Sequence, residues 1–289
     1  MFRSAVAAAS LAILSVAILP STAAAWGAAG HRLIGDMTYE RLSPSGRALV
    51  DRLIAVAPGQ EGFTLCPTRS LADASVWADC VRGERMASFS YMSPLHYVSA
   101  PICEAAPPGS FCPDGNCVTE AVRYAEAVLA DPSASDMARL LALQHLAHFL
   151  QDMHQPLHVG QNDDLGGNEV TIATFEGGRS RNLHALWDGD LVTATVGAER
   201  QQVAEVEALI VAREETWTGQ SIEDWGRESH AHSRDYAYAS LETPPDCGEG
   251  PADGGAITEA YVAGARPIVR EQLAKAIVRL TESIERAAG

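Results

Sequence analysis

Apolar positions along most of the chain recur at the three-to-four-residue spacing of amphipathic helices. Ser43-Pro44 predicts a helix through about Val56, with Ser43 as N-cap and Pro44 at the first helical position, where a missing N–H costs nothing. Further helices are expected from about Ser70 to Val81, a segment leading into Arg82, and from Val118 to Leu129, where Asp131-Pro132 breaks the pattern. Between Ser133 and Met153, apolar residues at Met137, Leu140, Leu141, Leu143, Leu146, Phe149 and Leu150 mark a core helix, which Pro156 ends near His158. Helices resume near Leu183 and then run from about Arg200 to Glu215, Ser221 to Tyr238 and Ile257 to Arg286, the last with a kink or restart at Pro267. Asn168 to Phe175, following Gly166-Gly167, is strand-like and reads as one short hairpin at most. Helices outweigh strands so far that the fold class is all-α, one mainly helical domain.

The first 25 residues read as a secretory signal: Arg3, an apolar stretch from Ala5 to about Leu19, then Ser21-Thr22-Ala23-Ala24-Ala25 with an A-x-A cleavage pattern. Residues 26–289 then form the working domain, long enough for a substantial core. The apolar stretch is short for a membrane span, so no stable membrane association is expected. A formal charge of −16 argues against bulk electrostatic binding of nucleic acid, but leaves room for a local site where metal ions supply the positive charge. Six cysteines in an exported chain predict disulfides. Cys112 and Cys117 bracket a P-D-G-N turn and can close locally; fifteen pairings of six are open.

Candidate chemistry concentrates mid-chain. His148 and Asp152 in HFLQDMHQPLH, and His184 and Asp188 in NLHALWD, are H-x-x-x-D pairs that a helix stacks on one face. A single such pair is equally a buried ion pair, but His158, after a proline-fixed turn, can point back at the same place. Imidazole plus carboxylate is the ligand set of hydrolytic zinc sites, and five such groups imply more than one ion. Asp79 in SVWAD and His96 in PLHY are further candidates. Cleavage after Ala25 would free the amine of Trp26, five residues before His31; amine and carbonyl can chelate an ion together. The other histidines, His145, His154, His230 and His232, read as surface groups or supports of the ligands.

W-G-x-x-G-H from Trp26, W-A-D, L-H-Y, H-F-x-x-D-x-x-Q-P-L-H, G-G-N and N-L-H-x-x-W-D occur in that order. The set resembles the extracellular zinc-dependent nucleases of fungi and plants, which share their fold with bacterial zinc phospholipases C and cleave single-stranded nucleic acids and 3′-nucleotides. The resemblance implies three zinc ions in a cleft. One would take Asp79, His96, His148 and Asp152; a second His158, His184 and Asp188; the third the Trp26 amine and carbonyl, His31 and a bridging oxygen of Asp152. It also implies Cys112–Cys117 and Cys103–Cys247 disulfides, which leaves Cys66 and Cys80 for each other. The implied activity is a secreted or periplasmic endonuclease and 3′-nucleotidase acting on single-stranded DNA and RNA, in which metal-activated hydroxide attacks phosphorus and leaves 5′-phosphate products. Arg82, where the family has a basic residue, is expected to stabilise the transition state, and Asp79 to orient the attacking water or take its proton. Tyr97 matches the family's aromatic platform for stacked bases, and Asn168 is expected to position substrate or support a ligand. Where many fungal members carry an acid that bonds the base, this chain has Ser99, so base preference is open. The alternatives are a zinc-dependent phospholipase C and a non-catalytic zinc-binding export protein with no open coordination position.

Overall fold

Serine and threonine side chains fix where the helices begin. Ser43, Ser135, Ser221 and Thr258 each accept a backbone N–H from the first turn that follows. The computed structural model describes residues 26–57, 64–83, 87–104, 111–112, 114–173, 178–197 and 200–289; the leader expected over 1–25 lies outside them. The helices are α1 (Gly27–Arg41), α2 (Pro44–Ile54), α3 (Leu71–Gly83), α4 (Val118–Ala130), α5 (Asp136–Met153), α6 (Leu183–Ala185), α7 (Leu191–Val196), α8 (Arg200–Trp217), α9 (Ile222–His232) and α10 (Glu259–Ala288). Tighter 3₁₀ turns span Ala87–His96 and Pro156–His158, and wider π turns span Leu186–Asp190 and Ser233–Tyr238.

The mainly helical expectation holds, with three differences. The sequence pattern gave no helix over Gly27–Arg41, where three glycines weaken the local preference. Tertiary contact decides it: a Cβ on Gly35 would lie 2.7 Å from Ala72 Cα and Ser75 Oγ, so α1 and α3 meet there without a side chain between them. Of the kink or restart expected at Pro267, the restart does not occur: α10 is one helix from Glu259 to Ala288 with Pro267 inside it. The strand-like segment turns back on itself, with an antiparallel bridge between Thr171 and Asn182. Its ladder partner is distant, however: β3 (Val170–Ala173) pairs in parallel with β4 (Ala252–Ala256). A second parallel pair joins β1 (Ala100–Pro101) to β2 (Gly160–Gln161).

α5 sits at the centre, packed against α2, α3, α4 and α10. It is buried on nearly all sides over its last two turns, from Leu146 to Met153 without a break. Trp26, Trp77 and Trp187 are fully enclosed around it. The C-terminal end of α5 therefore lies inside the protein, and polar side chains there must find partners or ligands. The three disulfides are Cys66–Cys80, Cys103–Cys247 and Cys112–Cys117.

Candidate metal centre

Eight of the side chains singled out in the sequence converge at this buried end. α5 supplies His148 and Asp152, α1 supplies His31, α3 supplies Asp79, and the 3₁₀ turn ending at His96 supplies that ring. Their ligand atoms fall into overlapping groups, His31–Asp79–His148 and His96–His148–Asp152, each within 4.8 Å. His158, His184 and Asp188 form a third group of the same size. Asp152 joins the parts: its Oδ1 lies 3.3 Å from His31 Nε2, and its Oδ2 lies 2.9 Å from His96 Nδ1, 3.3 Å from His148 Nε2 and 3.9 Å from His158 Nδ1. Trp26 sits fully buried at the start of α1, and a Cβ on the adjacent Gly27 would meet the Asp188 carbonyl at 3.1 Å. Trp26 is thus beside the cluster.

The hydrogen bonds define which nitrogens are free. His148 Nδ1 lies 2.7 Å from Ser75 O, His158 Nδ1 2.7 Å from His96 O, and His184 Nδ1 2.7 Å from Gly166 O. A carbonyl only accepts, so each Nδ1 carries a proton, and the neutral rings of His158 and His184 are left to present an Nε2 lone pair. Yet His158 Nε2 and His184 Nε2 face each other at 3.1 Å, and His184 Nε2 also lies 3.3 Å from Asp188 Oδ2. His31 Nε2, Asp152 Oδ1 and Asp188 Oδ2 are buried without a hydrogen-bond partner among the described residues. Lone pairs aimed at lone pairs repel unless something positive lies between them. The donor set, and the carbonyl behind each ring, match what divalent zinc requires.

Burial acts on the charges in the same sense. It pushes His158 down to about 3 and His184 to about 4, holding both rings in the neutral form that binds a metal. Burial also drives Asp188 well above the usual carboxylate range, so in this site a cation is needed to keep it ionised. At His148 burial is outweighed by Asp152 and Asp79, which raise it to about 9; His148 in turn holds Asp152 well below its usual value despite burial.

The cluster floors a cavity of about 480 Å³ whose walls include Arg82, His96, Tyr97, His158, Asn168 and His184. Arg82 donates to Asp79 Oδ1 at 2.6 Å, so the ion pair between them is formed, and Arg82 also lines the cleft. Tyr97 is 47% exposed at the cleft surface. Asn168 donates to Leu165 O at 2.8 Å and braces the loop of left-handed residues Leu165, Gly166 and Gly167. Gly166 has φ of 64°, and a Cβ there would lie 2.4 Å from Leu157 O; only glycine lets this loop bring its carbonyl to His184.

Two outcomes differ from the sequence reading. His154 is not a surface residue: it is wholly buried and bonded on both nitrogens, to Leu150 O and Arg279 Nη1, each at 2.7 Å. His145 is enclosed by Trp77, Tyr91 and Phe149. The sequence reading also passed over Gln155, whose Nε2 donates to Asp188 Oδ1 at 2.6 Å and whose Oε1 accepts from Leu157 N at 2.6 Å. Its place in D-x-x-Q-P, one helical turn past Asp152, was the available signal.

Comparison with known proteins agrees with this geometry. The S1/P1 Nuclease family model matches residues 26–289. Endonuclease 2 of Arabidopsis thaliana is 28% identical over 279 residues, covering 91% of each chain. Nuclease S1 of Aspergillus oryzae is 26% identical over 274 residues, 88% of this chain and 89% of its own. Nuclease P1 of Penicillium citrinum is 27% identical over 187 residues, 62% of this chain and 63% of its own.

Proposed function

The chain belongs to the S1/P1 nuclease family, and from that premise we propose that it is a secreted or periplasmic zinc-dependent endonuclease. Its substrates are single-stranded DNA and RNA together with 3′-nucleotides, and its products carry 5′-phosphates. One observation carries the reading: the Nε2 atoms of His158 and His184 stand 3.1 Å apart with both Nδ1 protons committed to carbonyls, under an open cleft. Three zinc ions would be held as the resemblance implies: by Asp79, His96, His148 and Asp152; by His158, His184 and Asp188; and by the freed Trp26 amine and carbonyl, His31 and Asp152. Zinc bound there supplies Lewis acidity and lowers the pKa of water toward about 7.

The protein's own groups do the rest. Asp152 divides its two oxygens, Oδ1 toward His31 and Oδ2 toward His96 and His148, so one carboxylate would serve two ions. Asp79, with Oδ1 3.7 Å from both His96 Nδ1 and His148 Nε2, orients the attacking water or takes its proton. Arg82, held beside Asp79, stabilises charge as it spreads over the phosphate oxygens. Tyr97 offers its ring to a base, a contact indifferent to sequence and available only where bases are unpaired. Asn168 keeps the cleft loop in place. Three disulfides fit an oxidising compartment, and no described helix is long and apolar enough to cross a membrane.

The test is cleavage by protein beginning at Trp26. Single-stranded DNA, RNA and a 3′-nucleotide should be hydrolysed, duplex DNA spared, and activity lost to a zinc chelator. Turnover of phosphatidylcholine with no cut in single-stranded DNA would make the chain a phospholipase instead. Full zinc loading with no phosphoester hydrolysed would make it a metal-binding protein only.

A further inference from the structure

Three of the imidazoles in the cluster are oriented by backbone carbonyls, which no substitution can remove; His31 is not. Its Nδ1 lies 2.7 Å from the side-chain Oε1 of Gln151, a residue with no exposed surface. The direction of that amide is fixed further back. Ser75 Oγ donates to Leu71 O at 3.0 Å, so the serine oxygen accepts from Gln151 Nε2 at 2.9 Å, and Oε1 is the end left to face His31. The chain Leu71 O, Ser75, Gln151, His31 therefore places the proton on His31 Nδ1 and turns the Nε2 lone pair toward Asp152 Oδ1, 3.3 Å away. Neither of these last two atoms has a hydrogen-bond partner among the described residues. Ser75 also presents its carbonyl to His148 Nδ1, which stacks on His31 at 4.3 Å between ring centres. The close approach of α1 and α3 at Gly35 holds this serine against the helix that carries His31.

We propose that Gln151 is the positioning residue that makes His31 a metal ligand, and that of the three ions only the one shared by His31 and the Trp26 end depends on it. This rests on the three-zinc reading above. Removing the outer partner of a metal-bound histidine weakens binding about 10–100-fold. Here the loss should fall on one ion of three, because His148, His158 and His184 keep their backbone carbonyls and His96 keeps its contact with Asp152.

The experiment uses protein beginning at Trp26, titrated with zinc against a competing chelator, with bound ions counted by native mass spectrometry. Gln151→Met, similar in volume but without an acceptor, should raise the Kd of one ion about 10–100-fold and leave the other two unchanged. Gln151→Glu restores an acceptor at the same place and should restore that ion. Equal affinity for all three ions in Gln151→Met and the parent would overturn the proposal, as would equal weakening of all three. A second measurement needs no variant: nitrogen NMR of the zinc-loaded parent should show His31 protonated on Nδ1 and metal-bound through Nε2. A bare or metal-bound Nδ1 would overturn the proposal. A parent that binds fewer than three ions, or cuts no nucleic acid, counts against the proposed function. In that case the His31 nitrogen signals, read on the same sample, still decide the role of Gln151.

Discussion

His154 and His158 lie four residues apart, both buried, both with Nδ1 bonded to a main-chain carbonyl at 2.7 Å. They differ only in what the second nitrogen meets. His154 Nε2 faces the guanidinium of Arg279, which is paired with Glu228 at 2.7 Å, while Lys275 bridges Glu228 and Glu271 beside it. That cluster brings its own cations, so the His154 lone pair meets a positive group. His158 Nε2 faces another lone pair, on His184, in a cluster of imidazoles and carboxylates beside which Arg82 pairs with Asp79. Burial and residue type are alike in both places, so neither marks a metal site. The mark is a buried nitrogen whose tautomer is fixed and whose lone pair has nothing positive to meet.

Substitutions on the two sides should separate metal binding from stability. Asp152→Ala removes the carboxylate common to two ions and should abolish cleavage and release zinc together, measured by metal content and turnover on the same preparation. On the other side, Arg279→Met leaves His154 Nε2 without its buried partner and Glu228 with Lys275 alone, and should cost about 1–3 kcal/mol of stability in denaturant unfolding. Its folded fraction should keep the parent's zinc content; a loss of zinc in step with stability would mean the two clusters are one unit. Arg82→Ala should retain zinc and lower kcat about 10²–10³-fold, and unchanged turnover would remove Arg82 from the chemistry. Tyr97→Ala should weaken binding of single strands by about 1–3 kcal/mol, read as a raised KM with kcat preserved.

The smallest effect concerns protons. Burial, and then Arg279, hold His154 well below its usual pKa. Between that depressed value and the unfolded value of about 6.5, the unfolded chain binds a proton that the fold refuses. Stability therefore declines as pH falls below about 6.5, by up to about 1.4 kcal/mol per pH unit for this one group. Unfolding of metal-free protein between pH 5 and 6.5 should show a shallower slope in His154→Gln than in the parent. Equal slopes would mean His154 takes up its proton in the folded state.

Much of the site was legible because ligand spacing is local. His148–Asp152 sits on an α-helix as the i, i+4 pattern requires. His184–Asp188 keeps the same reach although Asp188 falls in a π turn, with 3.3 Å between Nε2 and Oδ2. Helix starts at Ser43-Pro44 and Ser221 were readable from capping chemistry, which is also local. What escaped was decided at long range. α1 forms because Gly35 lets it meet α3, not because its own residues favour helix. The partner of β3 lies some eighty residues away in A-D-G-G-A, which has neither alternation nor branched side chains to announce a strand. Gln151 and Gln155 carry no chemistry as isolated letters; their role comes from the rings and carboxylate that the fold puts beside them.

The most direct test of the account is anomalous scattering at the zinc edge from crystals of protein beginning at Trp26. Three peaks should appear, one bound by His158, His184 and Asp188, and two sharing Asp152. A well-ordered site with no zinc between His158 and His184, their nitrogens satisfied by protons instead, would contradict it.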